Sequence, residues 1–120
     1  MKAADAEPAD LAEIEAFCDT LWLEDGLAKA SLASYRSDLL QLAAWLGEHE
    51  LGSLCGIDEA TLMRFVATLS QTLRASSQAR YLSTLRRFYR HQLARGRRSS
   101  DPTLKIAMPA KPSRLPKVLS

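Results

Sequence analysis

The apolar residues of this chain recur every three to four positions in four successive segments, and nowhere do they alternate over a strand's length. A helix turning once per 3.6 residues brings such positions onto one face, so the pattern predicts an all-α fold. The first helix is expected from about Pro8 to Glu24, with Leu11, Ile14, Phe17, Cys18, Leu21 and Trp22 as its stripe. Pro8 suits a first turn, Asp10 and Glu13 favour the positive helix start, and Gly26 supplies a stop. The second is expected from Ser31, a good N-cap, to about Gly47, burying Leu32, Tyr35, Leu39, Leu42, Trp45 and Leu46. Asp58 caps a third, whose face is Leu62, Phe65, Val66 and Leu69. Ser76 or Ser77 caps a fourth running to about Arg95, with Tyr81, Leu82, Leu85, Phe88, Tyr89 and Leu93 inward. Such stripes are stable only when buried against one another, which predicts a compact orthogonal or bundled four-helix domain over residues 1–98.

Beyond Gly96 the period is lost. Residues 99–120 hold four of the five prolines (Pro102, Pro109, Pro112, Pro116) together with four cations, a density that no helix survives. The expectation is an extended basic linker leading to a second domain. With 120 residues and 47% apolar content, the chain can build one real core. No stretch approaches the roughly 20 apolar residues that a membrane span requires. The start, MKAADAEPAD, is acidic and lacks the apolar region of a secretion signal, so a cytoplasmic protein is expected. Cys18 and Cys55 have no metal-ligand spacing and are expected as buried thiols; His49 is expected to cap a helix end and His91 to sit on an exposed face. No metal or cofactor is expected.

The net charge of +2 conceals a strong polarity. Residues 1–60 carry 3 Lys/Arg against 13 Asp/Glu, and residues 61–120 carry 13 against 1, the lone acid being Asp101. The basic half should be drawn to a polyanion. Within it, the fourth helix has two unlike sides. Opposite its apolar stripe lie Ser76, Arg80, Ser83, Thr84, Arg87 and His91, flanked by Arg86 and Arg90 and extended by Arg95, Arg97 and Arg98. Like charges at i, i+4 weaken an isolated helix, so their accumulation calls for an anionic partner. Arginine can fork onto phosphate oxygens or read guanine edges, and small hydroxyl residues between arginines allow close approach to a groove. The free amides near Ser76 and Ser77 suit a phosphate. A smaller polar cluster, Lys29, Ser31, Ser34 and Arg36, opens the second helix. Taken alone, it reads as a capped helix start with surface residues.

The segments LWLEDGLAKASLASYRSDLLQLAAWL (21–46) and SSQARYLSTLRRFYRHQLARG (76–96), with the ending DPTLKIAMPAKPSRLPKVLS, resemble the amino-terminal, SAM-like core-binding domain of tyrosine site-specific recombinases. Within that class the likeness is greatest to the bacterial Xer enzymes. Ser31, Tyr35, Arg36 and Asp38 carry it in the second helix, Leu82, Leu85, Arg86, Phe88 and Tyr89 in the fourth, and Asp101-Pro102 and Leu115-Pro116-Lys117 in the tail. The resemblance implies a domain that clamps a recombination half-site of double-stranded DNA, helices two and four meeting the major groove. By position it implies contacts from Ser31, Ser34, Arg36, Ser76, Ser77, Arg80, Ser83, Thr84 and Arg87. With the flanking Lys29, Arg86 and Arg90, these make the candidate DNA-binding set. It further implies related recombinase subunits as partners in a tetramer on DNA, and a metal-free strand cleavage by a tyrosine lying beyond Ser120. Tyr35, Tyr81 and Tyr89 all fall on apolar stripes and read as packing, so these 120 residues are expected to hold no catalytic residue.

Other readings remain open at this point. The acids of the first helix (Glu13, Glu15, Asp19, Glu24, Asp25) could dock a basic protein, making the chain an interaction module. A mobile-element integrase would share the same layout. An RNA-binding role fits less well, because the aromatic residues fall on core stripes rather than where bases could stack.

Overall fold

The computed structural model describes residues 8–106. The expected proline-rich linker therefore falls, from residue 107 onward, outside the described residues. Four α-helices follow one another: α1 (Pro8–Thr20), α2 (Lys29–Glu48), α3 (Glu59–Thr72) and α4 (Ala75–Ala94). No strand occurs among the described residues. The fold is all-α, as the periodicity predicts, with α1 packed on α2 and with α4 packed on both α2 and α3. No helix among the described residues is long and apolar enough to cross a membrane.

The first helix does not continue regularly to Glu24. After Thr20 it widens into one π-helical turn, Leu21–Asp25, closed by Gly26 at φ 63°, whose amide reaches back to the Leu21 carbonyl. A π turn takes in an extra residue, so the positions that follow are rotated away from the established stripe. Leu21 stays buried, whereas Trp22, expected inward, is 48% exposed. Leu11 is also exposed, because Asp10 occupies the inward position of the first turn. Its Oδ1 accepts the Leu54 amide of the α2–α3 loop at 3.0 Å.

Two helix starts differ from expectation. α2 begins at Lys29 after an extended Ala28, so Ser31 lies inside the first turn and is not the cap. α4 begins at Ala75 after an extended Arg74, which places Ser76 and Ser77 likewise within the first turn. Neither cap residue makes a side-chain bond. The entries are set by apolar anchors instead: Leu27 and Leu73 pack against the core just ahead of each helix, as a hydrophobic staple does. α3 follows the expected rule, with Asp58 Oδ1 accepting the Thr61 amide at 2.8 Å. His49 ends α2 as expected, its Nδ1 2.9 Å from the Trp45 carbonyl oxygen.

The core joins Ile14, Phe17, Leu39, Leu42, Leu46, Leu62, Leu85, Phe88 and Tyr89 into one cluster, all 4% exposed or less. Phe17 meets Phe88 edge to face at 5.4 Å, and Phe65 meets Tyr81 at 5.6 Å, the geometry that aromatic quadrupoles favour. The tyrosine hydroxyls within this core serve the fold. Tyr89 donates to the Leu54 carbonyl at 2.8 Å and Tyr81 to the Asp38 carbonyl. Burial pushes both phenol pKa values well up, so neither is a ready nucleophile. Tyr35, expected inward, is half-buried at the edge of α2.

The packed body reaches past Arg98, where the sequence pattern suggests that the domain ends. Pro102, Thr103 and Ile106 are buried, Ile106 within the core cluster. Asp101 Oδ1 closes a turn by accepting the Thr103 amide and hydroxyl at 2.8 and 2.6 Å. Proline stops helix formation but does not stop packing, so this stretch folds back in turns. Both cysteines are free; Cys18 is buried, and Cys55 is half-buried with its thiol donating to Gln92 at 3.0 Å.

Candidate nucleic-acid interface

The outer side of α4 and the beginning of α2 lie next to each other, joined by a polar hub that periodicity does not reveal. Asp38 sits among the inward positions of α2, its side chain only 5% exposed. Its Oδ2 accepts Arg80 Nη1 at 2.6 Å and the Thr84 hydroxyl at 2.9 Å, while its backbone carbonyl takes the Tyr81 hydroxyl. Thr84 is fully buried. The expectation that Thr84 belongs to the outward stripe is thereby corrected: its small hydroxyl turns inward to satisfy the Asp38 carboxylate. A signal was available, because Asp38 stands four residues before Leu42 on the stripe that α2 buries.

Most of the remaining candidates lie at or near the surface. Lys29, Ser34, Ser76, Arg80, Ser83 and Arg90 are exposed, and Ser31, Arg36, Ser77, Arg86 and Arg87 are half-buried. All of their arginines but Arg90, however, are engaged. Arg87 lies over the Tyr35 ring with its Cζ 5.8 Å from the centroid, donates to the Tyr35 hydroxyl at 3.2 Å, and pairs with Asp25 at 3.5 Å. Arg36 forks onto Glu15 at 2.9 and 3.0 Å, and this hydrogen bond raises its already high pKa. Arg86 turns back to donate to the Ile106 carbonyl. Arg90 and Ser83 make no hydrogen bond or ion pair among the described residues.

Two arginines of the sequence-expected extension are structural. Arg98 donates to the Cys55 and Ile57 carbonyls, both at 2.8 Å, and lies over Tyr89 with its Cζ 5.1 Å from the centroid. Arg97 pairs with Glu13 at 3.3 Å. His91, expected on an exposed face, is half-buried, with its ring 5.4 Å from Phe17 and its Nε2 3.2 Å from the Thr20 hydroxyl oxygen. The described residues hold no group of three or more His, Cys, Asp or Glu placed to bind a metal ion.

What the arrangement offers chemically is a helix face bearing guanidinium and hydroxyl donors, beside a second helix start of small polar residues. It carries no activated nucleophile. A shallow groove of 360 Å³ runs between the two helices, with Ala33, Ser34 and Ser37 on one wall and Arg80 on the other.

A small four-helix domain with this face is the class of fold that the resemblance implies. Residues 14–96 match the family described as "Phage integrase, N-terminal SAM-like domain", and the chain belongs to it. Among its relatives are proteins named tyrosine recombinase XerD. The chain is 44% identical to that of Xanthomonas axonopodis pv. citri over 95% of its own length and 37% of the relative's. It is 43% identical to that of Proteus mirabilis over 89% of its length and 34% of the relative's. For Vibrio cholerae the identity is 37% over 98% of the chain and 39% of the relative. The chain thus spans under two-fifths of the length of each of these three. No solved structure matches it.

Proposed function

We propose that this chain is the DNA-gripping amino-terminal part of a Xer-type tyrosine recombinase. It clamps one side of a recombination half-site, with the outer face of α4 and the start of α2 set in the major groove. The observation that carries this reading is the outward row of Arg80, Ser83, Arg87 and Arg90 on one helix of a chain in this family. Lys29, Ser31, Ser34, Arg36, Ser76, Ser77 and Arg86 border that row. Thr84 acts through Asp38 and not by touching DNA. The residues from 107 onward lead to a catalytic domain that supplies the tyrosine, and the parent protein cleaves and rejoins strands without a metal. Its working unit is a tetramer with a related subunit such as XerC, acting in the cytoplasm to resolve chromosome dimers. The pairing of Glu13, Glu15 and Asp25 with arginines of the same chain speaks against an acidic docking module.

The test is fluorescence anisotropy with a duplex selected by this chain from a randomised pool. Affinity should fall steeply with added salt, because phosphate contacts release counterions. Replacing Arg87 and Arg90 together by alanine should weaken binding by about 1–3 kcal/mol. Unchanged affinity in that double variant rejects this face as the interface.

A further inference from the structure

We propose that Asp38 is a positioning residue that turns Arg80 into a pre-oriented reader of a base edge. This rests on the DNA-gripping reading above and deepens it by assigning different tasks to the arginines of one face. Arg80 Nη1 is fixed on the buried Asp38 carboxylate at 2.6 Å, while half of the Arg80 side chain stays exposed. Asp38 is itself locked, since Thr84 donates to the same oxygen and Tyr81 to its carbonyl. The strut therefore joins α2 to α4 through a carboxylate held by two side-chain hydrogen bonds.

Two physical consequences follow. An arginine held on a carboxylate keeps its own charge but belongs to a pair of near-zero net charge, which weakens its attraction for phosphate, a chiefly coulombic one. Its unused donors keep their direction, and direction is what recognition of guanine O6 and N7 demands. A mobile phosphate-binding arginine needs no buried strut. Arg90, exposed and without an ion pair among the described residues, has that second character. The groove opposite Arg80 is walled by Ala33, Ser34 and Ser37, small enough for a base-pair edge to come close.

The experiment titrates the wild-type chain and three variants, Asp38→Asn, Arg80→Lys and Arg90→Ala. Each is read on the selected duplex, on its single-base-pair variants and across a salt series. Arg80→Lys should lose about tenfold discrimination at one base pair and leave the salt slope unchanged, whereas Arg90→Ala should weaken all duplexes alike and lower the slope by about 1. Asp38→Asn should lose the same discrimination while binding unselected duplex as well as, or better than, wild type. Charge removal alone predicts tighter binding of every duplex with discrimination unchanged. If Asp38→Asn tightens every duplex equally with discrimination intact, Asp38 is only a counter-ion and the proposal is overturned. A uniform loss with a lower slope in Arg80→Lys overturns it too.

Wild-type chain that binds no duplex rejects the DNA-gripping reading itself, a result distinct from both. Should Asp38→Asn fail to fold, NMR on unaltered chain still decides. The Arg80 Nε–H order parameter should approach the rigid value of about 0.85, with Arg90 below about 0.6. Equal mobility of the two side chains overturns the proposal.

Discussion

His91 shows how one side chain can carry a pH dependence that its sequence position hides. Thr20 donates its hydroxyl to the Ala16 carbonyl at 3.0 Å, so its oxygen is free to accept from His91 Nε2. The proton then resides on Nε2, and Nδ1 is buried with no hydrogen-bond partner among the described residues. Burial, and after it the charge of Arg95, holds the imidazole pKa below its ordinary value. Arg87, Arg90, Glu24 and Asp25 line the same pocket, and the charges of Glu13 and Glu24 oppose the lowering without overcoming it. A base with a depressed folded pKa takes up its proton more readily when unfolded. Its contribution to stability is therefore intact above the ordinary histidine range, about 6.5, and declines as pH falls from there to the lowered value. Thermal unfolding of wild type between about pH 7.5 and about pH 5 should show this loss. The variant His91→Phe, which keeps the ring against Phe17, should show a smaller drop over the same interval. Equal drops would mean that other groups carry the dependence.

At the scale of elements, the π-helical turn decides which residues the connection between α1 and α2 buries. A regular helix through Asp25 would have kept Trp22 inward, and losing a buried tryptophan typically costs about 3–5 kcal/mol. Because the turn brings Trp22 outward, Trp22→Gln should cost less than about 1 kcal/mol by chemical denaturation. A cost of several kcal/mol would show that the ring is buried in solution.

The turn also marks where sequence patterning stops being informative. Apolar period foretells the existence and order of all four helices, since burying a stripe is what makes each one stable. It also foretells Arg80, Ser83 and Arg90 as surface residues. It cannot foretell an added residue in one turn, because the residues on either side keep their own spacing. Polarity hides the burial of Asp38, Thr84 and Gln92, of which only Thr84 is expected outward, although Asp38 does share the stripe of Leu42. Each is buried because its partner comes from another helix: Arg80 for Asp38, Asp38 for Thr84, and Glu13 for Gln92. The outward half of the candidate site was legible, and the inward half that steadies it was not.

Across the whole molecule, folding sets the acids of the first helix and the turn after it against cations of other elements. Glu13 pairs with Arg97, Glu15 with Arg36, and Asp25 with Arg87, so acids of α1 and the π-helical turn reach cations of α2, of α4 and of the segment after it. The exposed pairs, Glu15–Arg36 and Asp25–Arg87, add little stability, commonly below about 1 kcal/mol each. Their larger effect is on the field, because each carboxylate cancels a charge that would otherwise attract any polyanion. On the proposed DNA-gripping reading, Glu15 and Asp25 restrain indiscriminate binding at Arg36 and Arg87, while a groove that fits recruits those arginines by offering phosphates in their place. Replacing both acids, as Glu15→Gln with Asp25→Asn, should leave the unfolding midpoint nearly unchanged. Affinity for unselected duplex should rise, and the logarithmic salt slope should steepen by up to about 2 as two more cations meet phosphate. The ratio between selected and unselected duplex should shrink, since a fitting duplex already recruits these arginines and the unselected one alone gains their contacts. If affinity and slope both match wild type, Arg36 and Arg87 stay clear of the backbone, and the interface is confined to the centre of α4.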